Sequence, residues 1–204
     1  TWEKVDMLDL GMDMGLFKGN KLEMTFDYYN KITSDMILNP ALPLVGGFEG
    51  AVPVNAGKVR NRGWELSLNY NEQVTKDISV SIRPGVSYNK NTILSLVAGP
   101  YISSDGTTIN QVGGAINSIY GYKTAGLLQS TDFDANGNPL VPTLPNAKAG
   151  DIKYLDLSKD GSINSAYQKR IGKPTAQLNY FSDLGIAYKV LDLERLLQRT
   201  DKSE

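Results

Sequence analysis

Apolar and polar positions alternate with a period of two across residues 8–31, LDLGMDMGLFKGNKLEMTFDYYNK. In an extended chain Leu8, Leu10, Met12, Met14 and Leu16 face one way, and Asp9, Gly11, Asp13 and Gly15 the other. After Lys18-Gly19-Asn20 the alternation resumes, with Leu22, Met24, Phe26 and Tyr28 opposite Glu23, Thr25, Asp27 and Tyr29. Successive side chains of a strand point to opposite faces, so the pattern predicts strands near 8–17 and 22–30 joined as a hairpin. The same periodicity predicts strands near 62–71 (Trp64, Leu66, Leu68, Tyr70 on one face), 77–89 (Ile78, Val80, Ile82, Val86, Tyr88) and 178–189 (Tyr180, Leu184, Ile186, Tyr188). Pro84-Gly85 inside the fourth run predicts a bulge or bend.

The connections fall into two kinds. Those inside hairpins are short, whereas residues 31–61 and 91–176 are long and rich in Gly, Pro, Asn and Ser. Connections beyond about 12–15 residues are uncommon in compact domains and are usually functional or disordered. Short turns alternating with long loops, and strands of about 9–11 residues, are what membrane β-barrels use. Tyr28, Tyr29, Tyr70 and Tyr88 stand near strand ends, where an interfacial aromatic girdle would place them. A soluble antiparallel sheet with one face on a core alternates in the same way, so the pattern alone leaves both readings open.

Composition narrows the function more than the fold. The 204 residues carry a net charge of −1, no cysteine and no histidine. Thiol nucleophiles, disulfides, imidazole catalysis and zinc sites of Cys/His type are thereby excluded, and there is no basic field for nucleic acid. No apolar run reaches the 18 or more residues of a transmembrane helix, and TWEKVDML has no signal-peptide character. The mean hydropathy of −0.28 suits an alternating barrel as well as a soluble protein.

Four blocks then resemble one family in the same order. They are TWEKVDMLDLGMDMGLFKGNKLEMTFDYYNKITSDMIL, NAGKVRNRGWELSLNYN, GYKTAGLLQS and AGDIKYLDLSKDGSINSAYQKRIGKPTAQLNYFSDLGIAYK. Together they are similar to the late barrel of the SusC/RagA family of TonB-dependent outer-membrane transporters. The resemblance implies an all-β fold: antiparallel hairpins forming part of a transmembrane β-barrel of about five strands over residues 1–190, with long extracellular loops. It implies a lipid-facing Leu/Met/Phe side and a barrel interior lined by Asp9, Asp13, Glu23 and Asp27. It further implies the outer membrane of a Gram-negative bacterium, uptake of oligosaccharides or peptides, a SusD-like surface lipoprotein partner and TonB acting through a plug. Residues 191–204 (LDLERLLQRTDKSE) depart from the family and read as a short helix or frayed tail. Because the smallest membrane barrels use eight strands, the expectation is a piece of a larger transporter, inactive alone. The alternative is a soluble all-β module binding carbohydrate or calcium.

One motif could hold a cation. DLSKDGSINSAY (156–167) follows the calcium-loop pattern, with Asp156, Ser158 and Asp160 at positions 1, 3 and 5, Gly161 at 6 and the Ser162 carbonyl at 7. Position 12 is Tyr167, where the pattern requires a bidentate acid, so any calcium binding would be weak. Asp132, Asp134, Asn136 and Gly137 form a second acidic turn without later ligands. Tyr101, Tyr120, Tyr122 and Tyr154 could stack on sugar rings, whereas Trp64, at a strand start, suits membrane anchoring. No pair of carboxylates is fixed at a catalytic separation, so no enzymatic activity is expected.

Overall fold

A computed structural model describes residues 2–38, 54–97 and 99–201. Four long strands come first: β1 (Lys4–Leu16), β2 (Leu22–Leu38), β3 (Val54–Thr75) and β4 (Ile78–Leu96). Six short ones follow: β5 (Tyr101–Ile102), β6 (Thr108–Asn110), β7 (Ser118–Gly121), β8 (Thr124–Leu127), β9 (Ile152–Tyr154) and β10 (Lys169–Gly172). Two long strands close the chain, β11 (Leu178–Tyr188) and β12 (Leu191–Thr200). The long strands form one open antiparallel sheet in the order β1-β2-β3-β4-β11-β12, and the short ones form a four-stranded and a two-stranded sheet between β4 and β11.

Register fixes the faces. Met12 pairs with Phe26, Phe26 with Leu66, Leu66 with Val86, and Val86 with Tyr180. The adjacent row runs Asp13, Thr25 and Ser67. A one-residue slip would exchange the two faces, so the sharp alternation is what locks the pairing. The turns at 17–21, 76–77 and 189–190 all lie at one end of the sheet. Asn20 and Lys189 take positive φ there (52° and 55°), the geometry that tight hairpins ask of their turn residues.

Among the described residues nothing packs on the apolar face of β1. Every position of β1 is exposed, and Leu8, Leu10 and Met12 keep 52%, 57% and 46% of their surface. Buried apolar side chains lie elsewhere: Val59 and Ile93 at the far ends of β3 and β4, and Leu128, Ile163 and Tyr167 in the lobe between β4 and β11. The chain exposes 14160 Å², against about 9400 Å² for a compact soluble chain of its mass by the usual scaling. An apolar sheet face of this extent needs an apolar environment, and alternation with an interior polar face makes lipid the matching one.

Several expectations change. β2, β3 and β4 run well past the predicted ends at 30, 62 and 89, because pairing continues after the apolar alternation stops and the wall rises beyond the apolar band. The predicted loop 31–61 is therefore partly strand, and its residues 39–53 lie outside the described ones. Region 91–176 is a folded lobe of short strands rather than a bare loop. Pro84-Gly85 makes no bulge: β4 stays in register with β11 through both residues, and the shifts fall at Lys58/Val59 and Gln73/Thr75. Residues 191–200 are neither helix nor frayed tail but a sixth long strand, held by ten pairs with β11. Tertiary pairing overrides the helical propensity of its Leu, Glu and Arg residues.

Candidate functional site

The inward face of the sheet is built from small and polar residues that bond across strands. Thr25 Oγ1 donates to Asp13 Oδ1 at 2.8 Å, Asn69 Nδ2 to Glu23 Oε2 at 3.0 Å, and Asn91 Nδ2 to Asn61 Oδ1 at 2.8 Å. Arg83 and Asp183 form an ion pair at 3.1 Å. Asp27 stands opposite Glu65, and neither has a hydrogen bond or ion pair among the described residues. Like charges facing each other are destabilising unless a cation approaches from the lumen.

Two glycines make room for inward aromatic rings. Gly63 lies opposite Tyr29 and Gly85 opposite Phe181. A Cβ on Gly85 would sit 2.3 Å from Phe181 Cζ, and one on Gly63 would sit 2.0 Å from the Tyr88 carbonyl oxygen. Sequence reasoning missed these pairs, since only the register reveals which glycine faces which ring. Gly85→Val should cost about 1–3 kcal/mol by overpacking, read as a lowered urea midpoint, and pairing it with Phe181→Ala should recover part of the loss.

On the outward face Trp64 and Tyr88 stack with centroids 6.4 Å apart and planes 24° from parallel. They lie about 10 residues up their strands from the turn at 76–77, the reach that crosses a bilayer. That is the placement of an interfacial girdle for Trp64 and Tyr88, whereas Tyr29 turns inward against Gly63 and Tyr70 lies at the short-turn end opposite Leu22.

The lobe beyond this level is held by carboxylates capping backbone amides. Asp105 accepts from the Ser103 hydroxyl and from Thr107 N and Oγ1 at 3.1 and 2.8 Å, and these bonds hold its carboxyl down at about 2. Asp132 is lowered by the Gln129 N–H and by Lys153, 2.9 Å away, and Asp134 by Asn138. The second acidic turn is therefore a self-bonded turn, with Asn138 Nδ2 3.0 Å from Asp134 Oδ2. A depressed carboxyl adds stability above its ordinary range and loses it as pH falls through its folded value. Lobe protection in hydrogen exchange should accordingly hold at neutral pH and fall away between about pH 4 and pH 2. Of the tyrosines considered for sugar stacking, Tyr122 and Tyr154 meet each other at 5.1 Å, and Tyr101 and Tyr120 stand on separate strands.

In the calcium-type loop Asp156 accepts from Lys159 N at 2.7 Å and Gly161 N at 2.8 Å, and Asp160 from Ser162 N at 3.0 Å. Gly161 takes φ 81° at the turn, as position 6 requires. Tyr167 is buried at the twelfth position, and its hydroxyl bonds both Ser158 and Asp160. That bond is the leading cause of the lowered Asp160 carboxyl. The structure thus brings Ser158, Asp160 and Tyr167 together, with Asp156 hydrogen-bonded to Ser158 at 3.3 Å. Among the described residues no three His, Cys, Asp or Glu converge where one metal ion could be held.

An open antiparallel sheet with an exposed apolar side, a polar side, short turns at one end and a folded lobe at the other defines a segment of a membrane β-barrel wall. The chain belongs to the TonB-dependent receptor β-barrel family, whose model (TonB dependent receptor-like, beta-barrel) matches residues 1–196. Members are outer-membrane β-barrel proteins of Gram-negative bacteria. Similar proteins include TonB-dependent receptor P3 of Formosa agariphila, 32% identical over 97% of this chain and 20% of the relative. The TonB-dependent receptor SusC of Bacteroides thetaiotaomicron is 26% identical over 94% of this chain and 18% of its own length. The RagAB peptide importer in its closed-closed state matches with a TM-score of 0.74 and 25% identity over 97% of this chain and 21% of that one. The chain therefore spans about one-fifth of the relatives it matches.

Proposed function

We propose that this chain supplies part of the wall and the outer lobe of a TonB-dependent transporter that imports oligosaccharides or peptides. In this reading a SusD-like surface lipoprotein covers the outer end, and TonB acts from the inner side through a plug that meets the polar face. The chain alone neither transports nor catalyses. The observation that carries the reading is the continuous bare apolar face from β1 to β11, bounded by short turns below and the folded lobe above. Similarity to SusC and to a peptide importer supports the substrate class. Cells carrying the intact parent protein should take up labelled oligosaccharide or peptide, and loss of TonB should abolish that uptake. TonB-independent uptake would contradict the transporter reading. A soluble protein of 22.3 kDa binding sugar or calcium in native cells would replace it with the small-module alternative.

For the loop 156–167 we propose that the Tyr167 hydroxyl takes the place of a cation, leaving only weak calcium affinity. Tyr167→Phe removes that bond from Ser158 and Asp160 and should cost the lobe about 1 kcal/mol. Tyr167→Glu restores the twelfth-position acid. Its thermal midpoint should rise with millimolar calcium, while that of the unaltered protein stays unchanged.

A further inference from the structure

The outward face carries a second feature just above the Trp64–Tyr88 pair. One step further from the short turns, Asn30 pairs with Arg62 and Arg62 with Lys90. The next outward row joins Ile32, Arg60 and Thr92. Side chains two apart on a strand share a face, so Arg60, Arg62 and Lys90 project on the same side as Trp64 and Tyr88. All three cations lack an ion pair or hydrogen bond among the described residues. The Arg60 Nε and the Asn30 Oδ1 are buried with no partner. Opposing charge is sparse on this face among the described residues. Asp6 stands across Ile32, one strand beyond, and Asp35 is engaged by Lys4 at 3.3 Å.

We propose that Arg60, Arg62 and Lys90 form a docking surface for the phosphate groups of glycolipid headgroups in the outer leaflet. The inference rests on the outer-membrane reading above. Below the cluster lie the aromatic pair and then the apolar rows of Leu66, Leu68 and Val86, so acyl chains, ring girdle and charge layer follow in the order of a bilayer leaflet. Arginine is suited to this role because its planar fork binds phosphate with two parallel hydrogen bonds, while Lys90 adds a point charge. Two arginines and a lysine on adjoining strands lie close enough to share one headgroup. A soluble anion would gain nothing from the apolar band beneath; a lipid phosphate is held by both.

The test uses the full-length parent protein inserted into phosphatidylcholine vesicles containing diphosphorylated lipid A or the same lipid with its phosphates removed. Insertion is read first, as a heat-sensitive shift in gel mobility, and lipid retention through detergent extraction second. The unaltered protein should retain about tenfold more phosphorylated than dephosphorylated lipid. The triple variant Arg60→Gln, Arg62→Gln, Lys90→Gln should lose that preference while still inserting, and Lys18→Gln at the short-turn end should keep it. Equal retention of the two lipids by an inserted parent, or an unchanged preference in the triple variant, would overturn the proposal while leaving the transporter reading intact. Failure of the unaltered parent to insert in either vesicle would overturn both.

Discussion

Met12→Lys should destabilise the parent barrel by about 2–4 kcal/mol, because a charge on the lipid face near the bilayer middle is costly. The position is chosen by register. Met12 lies in one outward row with Phe26, Leu66, Val86 and Tyr180, so a lysine there is surrounded by apolar neighbours and has no carboxylate within a row to pair with. Asp13→Asn, one residue along, removes a charge from the other face and weakens only the bond from Thr25, a loss of about 1 kcal/mol. Urea unfolding in lipid vesicles reads both values. Equal costs at the two positions would mean that the apolar side faces something other than lipid.

Arg195→Leu should move stability in the opposite direction, by about 2–4 kcal/mol if the arginine lies near the bilayer centre. Register places Arg195 opposite Leu184 and Arg199 opposite Tyr180, on the outward side that is apolar along β1 and β2. Arg195 is only a few residues above the turn at 189–190, too deep for its full charge to reach the outer headgroups without distortion. The substitution should raise the urea midpoint of the inserted parent. No gain would show that this part of β12 is covered by protein or water rather than by lipid.

These two sites also show how much of the fold is legible in the sequence. The alternation at 8–16 and 22–28 identified the hairpin and put Asp9, Asp13, Glu23 and Asp27 on one face, because a period of two has one geometric meaning in a strand. That this face is the barrel interior was implied by the family resemblance and not by the period. It could not find the ends of β2, β3 and β4. Above the lipid both faces meet water or protein, and nothing in the polarity of residues 31–38 marks continued pairing. β12 was misread because Leu, Glu and Arg favour helices locally, whereas the free edge of β11 decides the outcome. In the loop 156–167 the spacing of Asp156, Ser158, Asp160 and Gly161 was legible. The role of Tyr167 was not, since a tyrosine in an acid's place gives no hint that its hydroxyl turns inward. Gly63 and Gly85 were likewise silent until their partners Tyr29 and Phe181 were placed across from them.

The central claim is that the Leu/Met/Phe side of the sheet faces lipid and the Asp/Glu/Gly/Thr side faces the barrel lumen. This chain has no cysteine of its own, so single cysteines placed at positions 10 to 14 of β1 can be spin-labelled one at a time in a membrane-inserted parent cleared of any cysteine elsewhere. Their accessibility to oxygen, which concentrates in lipid, is then compared with accessibility to a water-soluble nickel chelate. Labels at Leu10, Met12 and Met14 should favour oxygen, and labels at Gly11 and Asp13 should not, giving an alternation of period two. A flat profile, or the opposite phase, would contradict the membrane-wall account.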